Sequence, residues 1–134
     1  MAFRGVRGAI TVDENSIEAI LTATRDLLQA LIAANDIHED DVASVIFTTT
    51  PDLTACFPAR AARELGWTQV ALIGCQEAAV EGGLETCVRV LIHWNTDKTN
   101  SQLNHKFMRG AAVLRPDLST SSASSNGNRD EQSR

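Results

Sequence analysis

Apolar residues recur at helical spacing at Ile17, Ile20, Leu21, Leu27, Leu28, Leu31 and Ile32, with Thr24 in the same stripe. The stripe predicts an amphipathic helix of about five turns that runs to about residue 34 and packs on a sheet. "DENS" (13–16) precedes it as a capping signal. Before it, "FRGVRGAITV" (3–12) alternates as a strand, and after it "VASVIFTTT" supplies a second strand over about 43–49. "TPDLTACFP" reads as a loop. A second helix, "PARAARELG", begins at Pro58 and stops at Gly66. "QVALIG" (69–74) and "CVRVLIHWN" (87–95) are the third and fourth strands. "DKTNSQLNHKF" reads as a turn with a short helix, and "GAAVL" (110–114) as a segment that closes the sheet. The order predicts an α/β (α+β) domain, a single mixed sheet with its helices on one face and a second face that needs a cover.

Residues 119–134, "STSSASSNGNRDEQSR", hold one alanine and nothing else apolar, so they read as a disordered Ser-rich tail behind a domain spanning 1–118. The 134 residues suffice for one ordinary core. A net charge of −5 excludes the basic stripe of a nucleic-acid binder, and no apolar run is long enough for a membrane span. The N-terminus has neither the basic nor the apolar region of a signal peptide, and the three cysteines (Cys56, Cys75, Cys87) have no close pairing. The expectation is a cytoplasmic protein with reduced thiols. No histidine pair has metal spacing, so neither metal nor cofactor is expected.

Charge changes the picture more than composition does. Ten of the twelve basic residues are arginine, the side chain of planar, bidentate carboxylate and phosphate recognition. By the strand period of two, Val88, Val90, Ile92 and Trp94 face the core. Arg89 then lies on the other face with Cys87, Leu91 and His93. It is either solvated or aimed at a site or a neighbouring subunit. Arg7 shares a face with Phe3, Gly5 and Ala9, and Arg4 lies opposite. Arg60 sits in the first turn of the second helix, where the macrodipole disfavours a cation, and the plain alternative is an exposed pair with Glu64. Arg63 follows on the same side, and Arg115 stands at the end of the last ordered segment. Glu77 is either a hydroxyl acceptor or a lone loop carboxylate. No nucleophile–base constellation is present. These residues alone describe a domain that binds a small polyanion.

Four blocks taken together, "RGVRGAITVDENS" (4–16), "TPDLTACFPARAARELGW" (50–67), "CQEAAVEGGLETCVRV" (75–90) and "GAAVLRPDL" (110–118), resemble the monofunctional trimeric chorismate mutases of the barrel-like class. The resemblance implies conversion of chorismate to prephenate on the route to phenylalanine and tyrosine. It also implies a homotrimeric pseudo-barrel with active sites between subunits. Arg89 resembles the arginine facing the substrate's ether oxygen, Arg7 one that holds a carboxylate, and Glu77 the acceptor of the ring hydroxyl. Phe57 matches an aromatic wall and Arg63 a cation at the pocket mouth. Leu114 and Arg115 match a segment that lids the cleft, and Ala59, Leu72 and Ile73 lie in the matching lining. Three positions depart from the pattern: Arg60 replaces a common lysine, Phe107 a common tyrosine, and Gly74 a common cysteine after a one-residue deletion near "ELGW". The alternatives are a non-catalytic carboxylate-binding trimer, a small-molecule deaminase of similar fold, and an interaction protein whose arginines meet protein acids.

Overall fold

The structure is a computed structural model that describes residues 2–114. The expected tail and Arg115 lie outside those residues. Five strands form one sheet: β1 (Ala2–Thr11), β2 (Val42–Thr49), β3 (Ala71–Gln76), β4 (Cys87–Thr96) and β5 (Lys106–Met108). Their spatial order is β3-β2-β4-β1-β5, with β4 antiparallel to β1 and β2, and with β3 and β5 parallel to their neighbours.

The long helix α1 (Ile17–Asn35) begins where the capping signal places it. The Ser16 Oγ accepts from the Ala19 N–H at 3.1 Å, and Asp36 ends the helix in the left-handed region at φ 58°. Its buried stripe, Ile20, Leu27, Leu28 and Leu31, rests on Val6, Ile10, Val45, Phe47, Val90 and Ile92 of the sheet. The short helix α2 (Ala59–Glu64) adds Ala59, Ala61 and Ala62 to the same core, and Gly66 stops it at φ 102°. Both helices therefore cover one face of the sheet. Among the described residues no helix is long and apolar enough to cross a membrane.

One glycine of "FRGVRG" has a packing reason. A Cβ on Gly8 would lie 2.7 Å from the Lys106 carbonyl oxygen and 2.9 Å from Leu27 Cδ1. Gly8→Ala is expected to cost about 1–3 kcal/mol, since backbone and helix must both shift. Urea unfolding measures this, and an unchanged midpoint would show that α1 rides more loosely than drawn.

The structure corrects the C-terminal end of the prediction. "GAAVL" does not close the sheet, because Arg109–Val113 is a 3-10 turn and the fifth strand is the three residues before it. Gly110 sits tight under Thr11, donating its N–H to Thr11 Oγ1 at 3.0 Å, with 3.0 Å between a virtual Cβ and Thr11 Cγ2. That contact turns the chain across the end of β1 and prevents its continuing along it. The third strand also starts two residues later than its apolar run suggested, and ends at Gln76.

Candidate active site

The face of the sheet away from the helices carries the chemistry. Strand register aligns Cys75, Thr48, Arg89, Ala9 and Phe107 in one row across all five strands. Alternation on β4 puts Val88, Val90, Ile92 and Trp94 into the core, each no more than 4% exposed, and so turns Arg89 outward. Arg7, whose Cα partner is Leu91, lies one diagonal step from Arg89 on the same face. Its guanidinium sits 5.9 Å from the centroid of the Phe107 ring. Ala9, fully buried between Arg89 and Phe107, is small enough to leave the cations access to this surface.

Glu77 enters the row from the end of β3. Its N–H donates to the Thr49 carbonyl at 2.8 Å, which continues the β2–β3 pairing by one residue and turns the side chain towards β4. There Glu77 Oε2 lies 2.9 Å from Arg89 Nε and accepts from the Thr48 hydroxyl at 2.5 Å. The contact with Arg89 is a charge contact without hydrogen-bond alignment, for Nε is buried and has no hydrogen-bond partner. The Arg89 side chain is still 42% exposed, so its outer fork faces the cleft. That cleft, about 720 Å³, is walled by Thr50, Asp52, Glu77, Arg89 and the 78–85 loop. Behind Arg89, burial pushes the Cys87 thiol up to about 11 against the pull of the guanidinium. The thiol therefore stays neutral at physiological pH, and Glu77 supplies the anion that meets Arg89.

A polar clamp that sequence reasoning passed over as loop fixes the start of β4. Asp52 accepts from the Thr86 N–H with both oxygens (3.2 and 3.0 Å) and from the Thr50 hydroxyl at 2.6 Å. Thr50 Oγ1 in turn accepts from the Cys87 N–H at 2.9 Å. The clamp holds Thr86 at φ 45°, a conformation a threonine rarely adopts, three residues before Arg89. "TPD" is a turn signal in sequence, but its partners lie more than thirty residues away.

Of the remaining candidates, Phe57 and Gly74 meet in one depression and the others lie apart. Phe57 is 79% exposed and lines, with Gly74, Cys56 and Cys75, a separate depression of about 340 Å³ beside β3. The two depressions share no lining residue. Ile73 is 57% exposed on the open face, Leu72 turns to the helix side against the main core, and Ala59 is buried in α2. Arg60 makes the surface pair with Glu64 at 3.1 Å, and Arg63 is exposed. Leu114 packs with Phe107, Ala9 and Cys87 in a small second core under the open face. Arg4, on the opposite face as its parity requires, donates Nε to the Lys98 carbonyl at 3.0 Å and ties strand to loop. Strands are about 4.8 Å apart, so roughly 19 Å of sheet separates β3 from β5. Arg89 and Phe57 thus line different depressions of one chain.

Residues 3–118 match the family described as chorismate mutase type I. This chain belongs to that family. It is 49% identical to chorismate mutase AroH of Thermus thermophilus over 116 residues, covering 86% of this chain and 95% of that protein. It is 44% identical to the AroH chorismate mutase of Bacillus subtilis over 120 residues, 89% of this chain and 94% of the relative. The solved chorismate mutase from Clostridium thermocellum superposes with a TM-score of 0.81 at 46% identity, covering 83% of this chain and 99% of that one. The mixed five-stranded sheet with its two helices is thus the chorismate mutase architecture. Membership decides among the readings of the sequence in favour of the enzyme, an isomerase of aromatic amino acid biosynthesis.

Proposed function

We propose that the enzyme converts chorismate to prephenate in the cytoplasm, at sites completed by a second copy of the chain in a homotrimer. The observation that carries this is the row Thr48–Arg89–Ala9, with Glu77 on Arg89 and Arg7 one step away. The rearrangement is concerted and unimolecular. It needs no nucleophile and no proton transfer, only a folded substrate conformer and positive charge where the C–O bond breaks. Arg89 fits the ether oxygen: guanidinium keeps its charge and its planar fork, and its Nε lies against Glu77 while the outer fork faces the cleft. Arg7 suits one carboxylate and Glu77 the ring hydroxyl.

The second half-site, Phe57, Arg60, Arg63, Ile73 and Gly74, supplies the wall and further cations from the neighbouring subunit. The domain of residues 1–118 carries both half-sites, and the family resemblance assigns Leu114 and Arg115 to substrate binding as well. Two observations support the trimer. Among the described residues neither α1 nor α2 covers the open sheet face, and that face exposes Phe3 at 60% and Ile73 at 57%, apolar side chains that a neighbouring subunit would bury. Phe107 lacks a tyrosine's hydroxyl donor, so substrate carboxylate binding rests more heavily on Arg7, whose guanidinium lies over the Phe107 ring.

Purified protein mixed with chorismate tests the reading: absorbance falls well above the uncatalysed rate, and NMR identifies prephenate. A folded protein that binds chorismate without converting it would overturn it.

A further inference from the structure

Glu77 has two carboxylate oxygens, and both of its neighbours use the same one. Thr48 Oγ1 donates to Oε2, and Arg89 Nε lies against Oε2. Arginine and carboxylate left to themselves prefer the bidentate fork, two parallel N–H···O bonds that engage both oxygens and the guanidinium's outer nitrogens. The contact here is neither bidentate nor aligned, although nothing but a few ångströms of side chain separates the two groups. Thr48 accounts for the difference. It is the Cα partner of Arg89 on β4 and stands on the same face, between Arg89 and the strand that delivers Glu77. A carboxylate can only accept, so the hydroxyl must donate, and that bond sets the rotation of the carboxylate plane.

We propose that Thr48 is a positioning residue for the rearrangement, its hydroxyl holding Glu77 by one oxygen so that the Arg89 fork and the second Glu77 oxygen both remain available to substrate. This rests on the reading of Glu77 as the acceptor of the substrate hydroxyl. Without the hydroxyl, Glu77 rotates into the fork and spends the cation on itself. Charge at the breaking C–O bond is then less well stabilised, so the loss falls on kcat, and the misplaced acceptor adds a smaller rise in KM. Valine at this position keeps the branched shape and strand preference of threonine, which separates the hydroxyl from the packing.

The test is a set of four proteins measured beside wild type: Thr48→Val, Thr48→Ser, Glu77→Ala and the Thr48→Val/Glu77→Ala double variant, the weaker ones assayed at raised enzyme concentration. Thr48→Val is expected to lose about 10- to 30-fold in kcat/KM, mostly in kcat, the scale of a hydrogen bond to a charged group. Thr48→Ser is expected within about threefold of wild type. In the Glu77→Ala background the valine should add less than about twofold, because the hydroxyl acts only through the carboxylate. The proposal is overturned by a valine variant within about twofold of wild type, by a serine as impaired as valine, or by an equal valine loss without Glu77. If Glu77→Ala itself stays within about threefold of wild type, the reading of Glu77 fails first, and the role of Thr48 with it.

Discussion

Arg89→Ala will leave a folded protein of unchanged oligomeric state that turns over chorismate at least about 10²–10³-fold more slowly. The size follows from what the side chain supplies. A preorganised donor aimed at developing negative charge acts only in the transition state, so its removal lowers kcat and kcat/KM together. The fold should survive, because Arg89 lies on the face opposite the core and its backbone stays paired to Ala9 and Thr48. Glu77, 16% exposed, loses its counter-charge but keeps the Thr48 hydroxyl and the Thr49 carbonyl. Arg89→Lys separates charge from geometry. It restores a cation but not the planar fork, and it should recover only part of the lost rate. Steady-state kinetics with circular dichroism and gel filtration decide the matter. If kcat and KM of the alanine variant stay near wild type in a folded protein, Arg89 does not meet the reacting bond.

What the sequence could and could not reveal divides along physical lines. Local periodicity carries α1 and the two faces of β4, because burial there is set by one helix packed on one sheet. Parity alone therefore turned Arg89 outward and Arg4 the other way. The "FRGVRG" glycines were legible as small residues, but not the reason for Gly8, which is a carbonyl nearly a hundred residues distant. β5 was missed since three residues, "KFM", give no period, while the apolar "GAAV" beside them is bent into a 3-10 turn by Gly110 on Thr11. The Thr48–Glu77 and Asp52–Thr86 bonds were equally silent. The first joins β2 to the residue after β3 and the second joins the loops after β2 and before β4, segments that only the sheet brings together. The arginines stood out by count, yet sequence gives no sign that Arg7 and Arg89 share a surface while Arg60 and Arg63 sit on another. Resemblance to the family supplied roles for these arginines as expectations but not their grouping, and in the structure Arg89 and Phe57 line different depressions.

That division leads to the second large effect, recovery of activity from two inactive proteins. If each site joins the Arg89 half of one subunit to the Phe57 half of its neighbour, a protein damaged in only one half still carries the other intact. Arg89→Ala breaks the first half. Arg63→Ala combined with Phe57→Ala breaks the second, both residues being exposed and outside the core, so folding should be preserved. On the proposed reading, each variant alone makes a trimer in which every site is damaged. Unfolded together in equal amounts and refolded, about three quarters of the trimers are mixed, and each mixed ring has one interface in which two undamaged halves meet. The mixture should therefore regain roughly a quarter of wild-type activity, though either parent alone has almost none. Mixing the folded proteins without unfolding should recover nothing, unless subunits exchange on the assay timescale. A refolded mixture no more active than its parents, with mixed trimers shown by native mass spectrometry, would place both halves within one chain.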